Sequence, residues 1–426
     1  MAYAKWIAVL AAAAFATGAL AAPAAKDGDP YLWLADIHGA KALAWVKEQD
    51  ARSDKILKSD PFYASTRATI LKSLDVKDRI PLGTLDRGHV YNFWQDAKHV
   101  RGIWRRATLA EYRKAEAKWE TLLDIDALDA ETRKDYAFQG GECSPSFARC
   151  LVVLSPGGSD AGEYREIDPK THQILAEGFS LPVAKSTATY LDDDDILFAT
   201  DFGPGSMTTS SYPRIVKLWH RGGTIAGART VFAGKAGDVG VDPYVFRGPS
   251  GTVTLFARGI TTFNTEYDLY AEGKTVRLPL PWGADLQGIT DGRLIVKLRE
   301  DWMPRGARKV IKRGSLVAFD VAHFDPRKNP RVTLLFTPGP HETIDTVAAG
   351  RDAVYASIYR DVKGSVHAFR FAGGKWHDEV LDLPMGGSTA AVTADAWSPD
   401  AMFTYESFLV PPTLYETTGD AEVAAI

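Results

Sequence analysis

Cysteine is nearly missing from this 426-residue chain: there are two, Cys143 and Cys150. That excludes a disulfide-dense scaffold and a cysteine-rich zinc or iron–sulfur site. With no histidine or further cysteine beside them, the pair reads as a short-range disulfide around Pro145, with two buried thiols as the alternative. Charge of one sign is also lacking. Fifty Lys and Arg stand against 54 Asp and Glu, a formal net charge of −4, so nucleic acid is not expected as a partner. The nine histidines are scattered and form no H-E-x-x-H, so no metal and no cofactor is expected. Beyond the first residues, no apolar run is long enough to span a bilayer.

The start of the chain is different. Lys5 precedes an apolar run from Trp6 to Gly18, and Ala19-Leu20-Ala21 offers a small-x-small cleavage site. Residues 1–21 read as a secretory signal peptide, which predicts a periplasmic or extracellular protein with no membrane contact after cleavage. Residues 22–78 begin with an Ala/Pro/Asp/Gly-rich leader. Helical character starts near Gly39, and a second helix is expected with Asp60 as N-cap and Pro61 at its first position.

From about Arg79 the pattern becomes short β-branched and aromatic runs divided by Gly, Asp, Asn and Pro. Examples are Val90-Tyr91-Asn92-Phe93-Trp94, Leu151-Val152-Val153-Leu154 and Ala353-Val354-Tyr355-Ala356-Ser357-Ile358-Tyr359. So many strands suit radial repetition, in which each small sheet buries both faces against its neighbours. Roughly 340 residues divided among seven four-stranded blades gives roughly 48 each, the usual size of such repeats. The expected fold is mainly β: a seven-bladed β-propeller over residues 79–418, preceded by N-terminal helices.

Four stretches carry a resemblance. Asp29-Pro30-Tyr31-Leu32-Trp33-Leu34-Ala35-Asp36 leads into Ala44-Trp45-Val46-Lys47-Glu48-Gln49-Asp50. Leu154-Ser155-Pro156-Gly157-Gly158-Ser159-Asp160 is followed by Arg165-Glu166-Ile167-Asp168. Gly178-Phe179-Ser180-Leu181-Pro182 leads to Lys185, and the last stretch is Ser407-Phe408-Leu409-Val410-Pro411-Pro412-Thr413-Leu414-Tyr415. In order and spacing they resemble the prolyl oligopeptidase family of serine peptidases. That resemblance implies a seven-bladed propeller inserted into an α/β-hydrolase, with the propeller restricting access to short peptides. It also implies that the N-terminal helices pack on the hydrolase.

The chemistry of that family needs a nucleophile elbow G-x-S-x-G, which residues 1–426 do not contain. Gly157-Gly158-Ser159-Asp160-Ala161 and Gly386-Gly387-Ser388-Thr389-Ala390 come near it, each ending in Ala. The triad order Ser, Asp, His removes Ser388, because the last histidine is His377. Ser159 is followed by further strands, so both serines read as turn residues. No catalytic residue is therefore assigned. The α/β-hydrolase domain is expected to be absent, residues 419–426 to be a truncated end, and the chain to be inactive alone. A non-catalytic secreted scaffold, or one chain of a split peptidase with a separate hydrolase chain as partner, are the alternatives.

Two other segments attract notice. Asp192-Asp193-Asp194-Asp195 lacks the Gly and Glu of a calcium loop and reads as a solvated hairpin turn. Asp201 to Arg214 is rich in Gly, Ser and Thr. It reads first as an inter-strand loop and second as a peptide-contacting one. Substrate-binding residues stay unassigned, and short peptides are expected as ligands only through the resemblance.

Overall fold

The computed structural model describes residues 28–76, 79–419 and 422–426. The signal-peptide segment lies outside the described residues. The chain divides into two compact units, residues 1–75 and 76–426.

The first unit holds two helices, α1 (Ala40–Lys58) and α2 (Tyr63–Leu74). The expected start of α2 is corrected by two residues: the helix begins at Tyr63, with Phe62 at its N-cap position. Asp60 Oδ1 accepts from the Phe62 N–H at 2.8 Å, and the Asp60 carbonyl accepts from the Tyr63 N–H. Asp60 thus closes a turn of its own before the helix, and Pro61 stays in that turn. Leu43, Val46, Ile56 and Leu57 of α1 are exposed, as are Ile70, Leu71 and Leu74 of α2.

The second unit is a seven-bladed β-propeller. Its seven sheets are built from consecutive antiparallel strands, six with four strands and one with an additional fifth. The first strands begin at Thr84, Tyr136, Thr187, Gly240, Ala284, Glu342 and Ser388, one for each of blades 1 to 7. The propeller thus starts at Thr84 and includes residues 424–425, which pair with Thr413–Thr417 as the fourth strand of blade 7. The boundary expected at residue 418 is corrected accordingly. Backbone pairing with the Tyr415–Glu416 edge carries the chain onto blade 7, where Val423 packs against the neighbouring core.

Local sequence sets the turns. Asp86 and His89 pair across Arg87-Gly88, whose φ values of 48° and 70° define a type I′ hairpin. Asp291-Gly292 repeats it with φ of 46° and 69°. Inside the strands, alternation sends apolar side chains to both faces. Seven hydrophobic clusters result, one for each pair of neighbouring blades. The cluster between blades 7 and 1 joins Leu85, Val90 and Leu109 to Met402 and Leu414. Arg113 adds an ion pair to Glu416 at 2.7 Å, and the Leu85 N–H donates to Thr393 Oγ1 at 2.9 Å. The ring therefore closes through side chains, each buried Leu or Val contributing about 1.5–3 kcal/mol.

Candidate functional site: the propeller channel

The first strand of every blade is innermost. The outer strands carry exposed runs, as in Lys375–Val380 and Val332–Phe336. Inner strands begin at one face, here the mouth, and end in the first-to-second strand turns of the opposite face.

At that opposite face the channel is crossed by side chains. Arg247, ending the inner strand of blade 4, pairs with Glu142 of blade 2 at 3.4 Å and donates to the Tyr190 carbonyl of blade 3. Arg87 of blade 1 donates to the Pro145 carbonyl. Its guanidinium lies 4.8 Å from the Phe147 ring and 4.7 Å from the Trp397 ring. Gly248 lies so near the Ala396 carbonyl of blade 7 that a Cβ would come within 3.4 Å of it. A cavity of 490 Å³ opens beside this seal, lined among others by Asp86, Arg87, Glu142, Arg247 and Trp397. Burial pushes the Asp86 and Glu142 carboxyls above the usual carboxylate range, against the pull of Arg87 and Arg247 respectively.

Nearer the mouth, a cavity of 530 Å³ lies between blades 4 and 5. Its wall includes Asp242, Tyr244 and Phe246 from one inner strand and Asp285 and Gln287 from the next. The i, i+2 spacing puts Tyr244 and Phe246 on one side of the strand, rings parallel within 5° and 6.0 Å apart. Asp285 pairs with Arg299 at 2.8 Å. Asp242 has no hydrogen-bond or ion-pair partner among the described residues. Asp242 is exposed, and desolvation by the surrounding wall pushes its carboxyl above the usual carboxylate range.

The Asp201–Arg214 segment is the second-to-third strand loop of blade 3, pinned onto blade 4. The Thr209 N–H donates to the Ala236 carbonyl at 2.8 Å and the Val241 N–H to the Pro213 carbonyl at 2.9 Å. This delivers Tyr212 to the cavity rim. Asp201-Phe202-Gly203 is a turn in which Asp201 accepts from the Gly203 N–H.

The other sequence candidates are accounted for. Cys143 and Cys150 face each other across the first hairpin of blade 2 and are joined in a disulfide. Ser159 hydrogen-bonds within its own turn, to the Ala161 carbonyl at 3.1 Å. Ser388 opens the inner strand of blade 7, while His377 lies on the outer strand of blade 6. Neither serine has a histidine partner among the described residues. Asp192 to Asp195 are each occupied: by backbone N–H groups, Ser146, Arg221 and His220 in turn. Among the described residues no group of three or more His, Cys, Asp or Glu could hold a metal ion. The sequence reading missed Glu142, Asp242, Tyr244 and Arg247. The available signal was the alternation across residues 240–248, which puts Asp242, Tyr244 and Phe246 on one face.

Fold and site define a seven-bladed propeller with Arg247 and Arg87 reaching between blades at one end of its axis and a cavity between blades 4 and 5. The family model for the prolyl oligopeptidase N-terminal β-propeller domain matches residues 21–239 and 286–423, and the chain belongs to that family. An uncharacterized peptidase of Sinorhizobium fredii is 35% identical over 415 residues, covering 94% of this chain and 57% of the relative. A prolyl endopeptidase of Elizabethkingia meningoseptica is 22% identical, covering 93% and 54%. The solved structure of a post-proline cleaving enzyme from Rickettsia typhi superposes with a TM-score of 0.84 at 26% identity, covering 92% of this chain and 59% of that one. The chain spans just over half the length of these relatives.

Proposed function

We propose that this chain is the substrate-gating propeller of a secreted prolyl-oligopeptidase-type serine peptidase that acts on short peptides. One observation carries the reading: the exposed apolar side chains are one-sided. In six of the seven blades the second-to-third strand loop, at the mouth, carries an exposed large apolar residue: Val100, Tyr212, Phe263, Met303, Val362 and Phe408. Trp282, Met385 and Leu409 add to this face, and among the described residues none falls in the first-to-second strand turns opposite. Exposed apolar surface of that extent marks a docking face. An α/β-hydrolase domain over the mouth would cover it and place the catalytic serine where the channel opens. The exposed apolar side chains of α1 and α2 support the same partner. With the far end crossed by Arg247 and Arg87, peptides would enter the channel from the mouth.

The disulfide supports an oxidising compartment, in keeping with secretion to a periplasm or beyond. Residues 1–426 contain no nucleophile elbow, so this segment alone is expected not to cleave peptides. The test is to sequence the DNA downstream of the Ile426 codon and to assay cleavage of short proline-containing peptides with and without the polypeptide it encodes. A G-x-S-x-G followed by Asp and His, and cleavage only when that part is present, are expected. Turnover by residues 1–426 that survives Ser159→Ala and Ser388→Ala together would overturn the reading.

A further inference from the structure

The cavity between blades 4 and 5 has a composition that general gating does not require. Its two aromatic rings, Tyr244 and Phe246, stand parallel along one strand, beside the Asp242 carboxylate. Asp285, across the cavity, is held by Arg299, whereas Asp242 has no counter-ion among the described residues. Asp242 is exposed into the cavity, so its carboxylate is open to a cationic group placed there. Aromatic faces next to a carboxylate attract alkylammonium and guanidinium groups, through the ring quadrupole and the charge together. The rim already holds one such contact: Lys185 Nζ lies 4.4 Å from the centre of the Tyr212 ring, its charge balanced by Asp160 at 2.9 Å. At 530 Å³ the cavity has room for a long side chain.

We propose that this cavity is a subsite for a positively charged group of a peptide in the channel, with Asp242 as counter-ion and Tyr244 and Phe246 as the aromatic wall. The proposal rests on the channel being a peptide passage. Lysine, arginine and a free N-terminal ammonium share the required chemistry. The subsite would favour basic peptides before any cleavage step, so it acts on binding rather than on catalysis.

The experiment is calorimetric titration of the chain with pentapeptides, N-acetylated and C-amidated, that differ only in a central lysine, arginine, norleucine or glutamate. A fifth peptide carries norleucine and a free N-terminus. Lysine and arginine peptides are expected to bind about tenfold more tightly than the capped norleucine peptide, and glutamate more weakly still. A gain confined to the free N-terminus would assign the subsite to the terminal ammonium instead. Asp242→Asn, close in shape to the native residue, should erase the preference, while Asp345→Asn on the inner strand of blade 6 should keep it. Equal binding of the lysine and norleucine peptides with no gain from a free N-terminus, or a preference that persists in Asp242→Asn, would overturn the subsite while leaving the passage intact. Failure of all five peptides to bind would overturn both.

Discussion

Arg247 of blade 4 reaches across the sealed end of the channel to Glu142 of blade 2, 105 positions earlier in the chain. The same guanidinium also takes the Tyr190 carbonyl of blade 3. One side chain thus ties three blades at the axis, where no backbone ladder connects them. Arg247→Met is expected to cost about 1–3 kcal/mol, the cost of leaving its partners unsatisfied. Urea denaturation would read this as a lower midpoint at unchanged slope. The variant should also admit larger channel probes.

A second tie lies further out. Arg221 of blade 3 donates to both carboxylate oxygens of Glu166 of blade 2 at 2.8 Å each. Glu166 is fully buried and also accepts from the Tyr190 hydroxyl at 2.7 Å and the Phe179 N–H at 3.1 Å. Removing one partner of such a pair strands a buried charge and costs about 3–5 kcal/mol. Arg221→Met and Glu166→Gln should each destabilise, and the double variant should lose less than the sum of the two. Additive losses in a double-mutant cycle would show that the pair is not coupled.

Asp242 supplies a pH signature. Its carboxyl is raised in the folded protein by desolvation, so ionising it opposes folding. Below the ordinary carboxylate value both states hold the proton, and the residue is neutral to stability. As pH rises through the raised folded value, stability is lost relative to an uncharged side chain. Asp242→Asn should therefore melt at a higher temperature than the parent at pH 7. The difference should shrink on acidification and vanish below about pH 4. A gap that stays constant with pH would contradict this.

Val362 carries strain at the mouth. It occupies the second central position of the turn joining Arg360 to Lys363, with φ of 62°, where the two-residue turns of the same type at the opposite face of blades 1 and 5 have Gly88 and Gly292. A β-branched side chain is poorly suited to that conformation, and Val362 is 89% exposed, so no packing within the propeller compensates. Val362→Gly should stabilise the isolated chain by about 0.5–1 kcal/mol in thermal melts. If the mouth is a docking face, the same change should weaken association with the hydrolase part.

The repeating strands and turns, the two N-terminal helices and the pairing of Cys143 with Cys150 are local, and the sequence by itself determined them. Alternation within a strand, a glycine at positive φ and two cysteines flanking one hairpin are decided by neighbours a few residues apart. The start of α2 differs from its sequence expectation because Asp60 can serve either a helix cap or a turn, and both use the same side-chain oxygen. The channel was decided only by the tertiary structure. Glu142 and Arg247, or Asp242 and the loop that delivers Tyr212, come together because blades far apart in sequence meet around one axis. Strand alternation marks Asp242 and Tyr244 as sharing a face, but whether that face looks into a core or a passage depends on ring closure, set by packing between blades 7 and 1.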